Sequence, residues 1–166
     1  LSSVINTRSA TVPVVHEIQP DALPSGDYVL QVFAMLENSQ LNAWVYSAVA
    51  PSGYNGPIEF LVGLTSAGRI VRVRIMQHRE TPGLGDAIEA DKSGWLQQFE
   101  NADLENPSNW ALASEGGTFD ALTGATVTPR AVVEALEGVL QYPATHADTL
   151  QIALEEGLRA GVMEDQ

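Results

Sequence analysis

Two short loops hold most of the residues whose types and spacing could do chemistry. The first runs His78-Arg79-Glu80-Thr81-Pro82-Gly83-Leu84-Gly85-Asp86 and follows a strand-like stretch. The second runs Phe119-Asp120-Ala121-Leu122-Thr123-Gly124-Ala125-Thr126-Val127-Thr128-Pro129 and leads into a helical apolar period. A loop entering a helix N-terminus offers free backbone N–H groups and the positive end of the helix dipole, which favour a phosphate. Gly124 and Ala125 keep bulk away from that point, and Thr126 places a hydroxyl just outside the helix. The same residues also read as an ordinary cap before a helix, with Thr128 at the N-cap and Pro129 at the first helical position. The glycines of the first loop read equally as turn formers.

The elements around these loops follow from periodicity. Leu41–Ala50 alternates, with Ala43, Val45 and Val49 on one side and Trp44, Tyr46 and Ala48 on the other. The breaker cluster of residues 51–57 must turn. Ile58, Phe60, Val62 and Leu64 then share a face, and after the turn at Gly68 the stretch Ile70–Gln77 puts Val71, Val73 and Ile75 inward and Arg72 and Arg74 outward. These two stretches predict an antiparallel hairpin. Trp95, Leu96 and Phe99 predict a short helix capped by Ser93, and Gly116-Gly117 a turn. Val132, Val133, Leu136, Val139 and Leu140 predict a helix over 129–141 that Pro143 ends. A last helix over 144–160 would carry Leu150, Ala153, Leu154 and Leu158 inward. Residues 1–26, with Pro13, Pro20 and Pro24, read as an irregular lead-in. A hairpin with segregated helices is an α+β pattern: an antiparallel sheet with packed helices in a single domain over 41–166, preceded by a lead-in over 1–40.

Composition narrows the function. The 166 residues suffice for one domain with a real core. A net charge of −13, with twelve acids against two bases after residue 99, opposes binding to nucleic acid or an anionic membrane surface. No cysteine is present, which removes disulfides, thiol catalysis and cysteine-ligated metals. His16, His78 and His146 match no metal-ligand spacing. No triad or acid–base pair suggests turnover chemistry; Glu80 alone could act as a base. No apolar run reaches the roughly 18–20 residues that span a bilayer. The chain opens at Leu1 rather than methionine, which reads as a processed product or a piece of a longer chain, from whose front a signal peptide or membrane helix could have been removed.

Asp120-Ala-Leu-Thr-Gly-Ala-Thr126 resembles the motif recognised by periplasmic flavin transferases, an aspartate, two variable positions and then Ser/Thr-Gly-Ala-Thr. The stretch 78–86, with Gly53-Tyr54-x-Gly56 upstream, resembles the other half of the FMN-binding domain. That domain is shared by the G subunit of the Rnf electron transport complex and the C subunit of the sodium-pumping NADH:quinone oxidoreductase. Gly116-Gly117-x-Phe119-Asp120 and Arg130-Ala-Val-Val133 lie closer to the Rnf protein. The resemblance covers residues 53–141.

The resemblance implies an electron carrier with FMN joined through its phosphate to the hydroxyl of Thr126 by a phosphodiester. A separate metal-dependent transferase would take the FMN from FAD and read Asp120. Thr123, Gly124 and Ala125 would line the phosphate and ribityl chain. Glu80, Thr81, Leu84 and Gly85 would line the ring, with Tyr54 as an aromatic wall. Arg130 would add to phosphate stabilisation or lie solvated. The partners implied are the other subunits of a membrane complex that moves electrons between ferredoxin and NAD while translocating ions. The domain would sit on the extracytoplasmic face, held by an N-terminal helix outside this sequence, and would be non-catalytic alone. A flavinylated carrier of another system and a binding module that has lost its flavin are the alternatives.

Overall fold

The computed structural model describes residues 28–37 and 40–164; the lead-in over 1–26 and the side chain of Leu158 lie outside the described residues. Four strands form one antiparallel sheet in the order β1 (Val29–Glu37), β2 (Gln40–Ala50), β3 (Ile58–Leu64) and β4 (Ile70–Gln77). Helix α1 (Val127–Thr145) packs on β2, and α2 (Ala147–Glu164) follows after His146. This is the α+β domain expected. No helix among the described residues is long and apolar enough to cross a membrane.

The β3–β4 hairpin forms as its alternation predicts, with Phe60 opposite Ile75 and Val62 opposite Val73. Ile58, Phe60, Val62 and Leu64 are all buried. One inward residue differs. Leu64 pairs with Ile70 while Gly63 pairs with Arg72, so Val71 is an extra residue. This bulge turns Ile70 into the core and leaves Val71 half-buried. Strand β2 is covered on both faces. Trp44, Tyr46, Ala48 and Ala50 face the main core, and Ala43 and Val45 join Met35 on the other side. Strand β1 falls within the stretch read as a lead-in, yet it pairs along β2 from Val29 opposite Ala48 to Glu37 opposite Gln40. The sheet therefore begins before residue 41.

Helix α1 departs from expectation at both ends. It begins at Val127, so Thr128 is the second helical residue and Pro129 the third, not cap and first residue. Proline is tolerated there because the first N–H groups of a helix have no intrahelical acceptor. The first turn closes with Arg130 N–H donating to the Thr126 carbonyl at 3.2 Å. Nor does Pro143 end the helix, which runs on to Thr145. Termination comes at His146, at φ −126° and ψ 28°, with its ring stacked 4.0 Å from that of Tyr142. The expected apolar face of α1 is buried throughout, and Leu150 and Ala153 of α2 close the core beside it.

Between β4 and α1 the chain is mostly irregular. The short helix expected at 93–99 is a single 3₁₀ turn, Trp95–Phe99, with Ser93 Oγ accepting the Trp95 N–H at 3.2 Å. Phe99 is the hub of an aromatic cluster, with ring centroids 5.1 Å from Trp95, 6.3 Å from Trp110 and 4.8 Å from Phe119. Phe119 opens the second glycine loop, so this cluster anchors the loop's root.

Candidate functional site

Antiparallel pairing brings the end of β2, the start of β3 and the end of β4 to one end of the sheet. The turn 51–57 and the loop 78–86 therefore meet there, and the start of α1 docks against them. The result is a cleft of about 320 Å³ lined by Tyr54, Thr81, Leu84, Gly85, Gly124, Ala125, Thr126 and Val127. All but Val127 are site residues expected from the sequence. Tyr54 and Leu84 form its apolar walls and are 67% and 43% exposed.

Two glycines keep the walls close. A Cβ at Gly85 would lie 2.6 Å from Thr128 Oγ1, and one at Gly124 would lie 3.0 Å from Leu84 Cδ2. Gly124 also adopts φ 75° in the turn closed by Ala125 N–H to the Leu122 carbonyl, a conformation that side chains disfavour. Thr126 occupies the N-cap position of α1, is exposed, and makes no side-chain cap bond. It lines the cleft with its hydroxyl uncommitted to the helix.

Four residues given roles from the sequence do not line the cleft. Glu80 does not line the cleft. It is 4% exposed behind the wall, where Oε1 accepts the Tyr54 N–H at 3.0 Å and the Thr128 hydroxyl at 2.7 Å, and Oε2 accepts the Asn55 N–H at 3.0 Å. Thr123 is at the exposed tip of its turn, off the cleft lining. Asp120 lies outside the cleft and is exposed; its backbone is held by Trp95 Nε1, which donates to its carbonyl at 2.6 Å, and by Gln98 Oε1, which accepts its N–H at 2.8 Å. Arg130 turns away from the cleft and pairs with Glu115 at 2.6 Å, which holds the Glu115 carboxyl below its ordinary range.

Behind the first loop lies a charged network. His78 Nδ1 accepts the Glu80 N–H at 3.0 Å, so its ring proton lies on Nε2, 2.7 Å from Glu89. Lys92 sits 2.7 Å from both Asp86 and Glu89. Hydrogen bonds from Lys92 hold Asp86 and Glu89 below the usual carboxylate range, and the two acids push the Lys92 ammonium upward. Asn55 and the Glu80–Thr128 bond have no signal in the sequence. They join residues 25 and 48 positions apart, and no local spacing marks such ties.

A family model described as FMN-binding domain matches residues 53–141, just over half of the chain. The chain belongs to the FMN-binding domain family. The G subunit of the ion-translocating oxidoreductase complex of Pseudomonas aeruginosa is 50% identical over 107 residues, covering 63% of this chain and 50% of that protein. The corresponding protein from Vibrio vulnificus is 35% identical over 158 residues, covering 90% of this chain and 75% of that protein. The chain thus spans half to three quarters of the length of these relatives. Among solved structures, Shewanella oneidensis NqrC superposes with a TM-score of 0.54 at 22% identity, over 89% of this chain and 72% of the other, and so shares the fold.

The cleft of this FMN-binding domain suits that cofactor. The glycine cradle admits a flat group against backbone, Tyr54 and Leu84 offer apolar walls, and the uncapped start of α1 offers donors to a phosphate.

Proposed function

We propose that this domain is an electron-carrying part of an ion-translocating membrane oxidoreductase complex, with FMN held covalently by a phosphodiester on Thr126. The single observation that carries the covalent reading is the state of the three hydroxyls near the start of α1. Thr128 is 2% exposed and its proton is committed to Glu80. Thr123 is off the cleft. Thr126 is exposed, uncapped and on the cleft, the one of the three open both to a modifying enzyme and to a ligand seated between the loops.

When bound, FMN supplies a centre that takes up and releases electrons singly or in pairs. This chain's residues bind and orient it. The N–H groups of Val127 and Thr128, which precede the first intrahelical bond, would neutralise the phosphodiester charge. Gly85 and Gly124 would let the cofactor approach backbone, and Tyr54 and Leu84 would exclude water from part of it. Asp120 would be the residue read by a flavin transferase; its exposure on a loop whose backbone is fixed from behind supports that role. The names of the relatives support a place among the subunits of such a complex. The likeness of residues 120–126 to the motif read by periplasmic transferases supports the extracytoplasmic face of the membrane.

The test is intact mass and peptide mapping of protein co-expressed with a flavin transferase. A gain of one FMN less one water on Thr126, absent in Thr126→Ala with the melting temperature preserved, is the expected result. No gain alongside a control substrate that is modified would leave Thr126 as a helix-start residue only and would favour a binding module without flavin.

A further inference from the structure

We propose that Glu80 sets how readily the cleft's cofactor accepts electrons, by holding an unneutralised negative charge one residue behind the cleft wall. The proposal rests on the reading that the cleft carries FMN. Both oxygens of Glu80 act as acceptors, from the N–H groups of Tyr54 and Asn55 and the hydroxyl of Thr128. That pattern suits the ionised carboxylate, which is acceptor-only.

All three donors are neutral. The nearby imidazole does not compensate, because His78 receives the Glu80 N–H on Nδ1 and turns its own proton to Glu89. Lys92 is engaged by Asp86 and Glu89, and Arg130 by Glu115. Among the described residues no cation pairs with Glu80. Buried charges are ordinarily paired, because desolvation is expensive. One kept by neutral donors alone therefore leaves a net field in its surroundings.

Those surroundings are the cleft. Glu80 bonds directly to the backbone of Tyr54, precedes Thr81 in the chain, and its Cβ lies 3.1 Å from where a Cβ at Gly85 would stand. Tyr54, Thr81 and Gly85 all line the cleft. An electron added there meets a fixed like charge through weakly screening protein, which makes reduction less favourable. Glu80 also ties the 51–57 turn to α1, so the charge must be separated from the clamp.

Three variants do this. Glu80→Gln keeps the shape and an acceptor oxygen but removes the charge. Glu80→Asp keeps the charge on a shorter arm. Asn55→Ala breaks the Asn55 Nδ2 to Thr81 Oγ1 bond of 3.2 Å, loosening the same turn without touching the charge. Each is co-expressed with a flavin transferase and titrated with dithionite against a reference dye. Hydrogen exchange over residues 53–57 is followed on unloaded protein.

Glu80→Gln is expected to raise the two-electron midpoint potential by the equivalent of at least tenfold in the reduction equilibrium, about 30 mV. Glu80→Asp and Asn55→Ala are expected to stay close to the wild-type potential while exchange in the turn accelerates. An unmoved potential in Glu80→Gln, or an equal shift in Asn55→Ala, would overturn the proposal and leave Glu80 as a clamp. If Glu80→Gln does not fold, a tenfold shift in Glu80→Asp overturns it instead. Wild-type protein that takes up no flavin would sink the parent reading and this one together; loaded wild-type protein with an unmoved Glu80→Gln sinks this one alone.

Discussion

The two loops that face each other across the cleft are built on opposite principles. The 78–86 loop is fixed from behind by side chains: Glu80 grips the neighbouring turn and α1, His78 grips Glu89, and Lys92 joins Asp86 to Glu89. The 119–126 loop is fixed by its backbone, through Trp95, Gln98 and its own turn, while Asp120, Thr123 and Thr126 stay exposed. One loop spends its functional groups on rigidity, and the other keeps them available. Such a division suits a site that must be handled once by another protein and afterwards hold a fixed geometry.

Substitutions can break that contrast. The largest effect is the total loss of covalent loading in Thr126→Ala, read by intact mass. Next, Asp120→Asn keeps every backbone bond of the exposed loop, so the melting temperature should not move, whereas the initial rate of loading by a transferase should fall by about tenfold or more, the scale of a lost charge-assisted contact. Equal loading rates would mean that the carboxylate is not read.

On the fixed loop the prediction is the reverse. Gly85→Ala drives a Cβ to within 2.6 Å of Thr128 Oγ1 and should destabilise the fold by roughly 1–3 kcal/mol, the usual range for overpacking. Chemical denaturation of the unloaded protein checks it. An unchanged midpoint would show that the wall yields and that the two loops do not differ in rigidity.

The smallest effect concerns acid. Asp86 and Glu89 titrate below their unfolded values because Lys92 bonds them. Their contribution is therefore present above the ordinary carboxylate range and is lost as pH falls through the depressed folded values, below about pH 4. Melting curves across pH 2–7 should show that acid limb, and Lys92→Met should flatten it. A limb of the same depth in the variant would assign the acid sensitivity elsewhere.

Much of this is legible in the sequence where the signal is local. The β3–β4 hairpin follows from strict alternation around one turn, and the cleft lining from two motifs and a Gly-Tyr turn. Strand β1 is not legible. Its Ala34-Met35-Leu36-Glu37 end is made of good helix formers, Leu30 is exposed, and only pairing with β2 decides its state. The start of α1 misleads for a different reason. Proline fits several positions of a first turn, so Pro129 does not fix the register, and Thr128 has the type of a cap although Glu80 holds it. Glu80 itself falls in the expected neighbourhood but on the other side of the wall, because sequence gives proximity along the chain and not the direction of a carboxylate.

The unfinished start of α1 carries a last consequence. A helix whose N-cap residue, Thr126, makes no side-chain cap bond lacks a partner that is ordinarily worth about 1 kcal/mol. A phosphodiester on Thr126 would supply that partner, permanently and from within the same residue. Maturation would then be a completion of secondary structure as well as the gain of a redox centre. The unloaded chain would leave the first N–H groups of α1 without a side-chain acceptor, and loading would give them a built-in one.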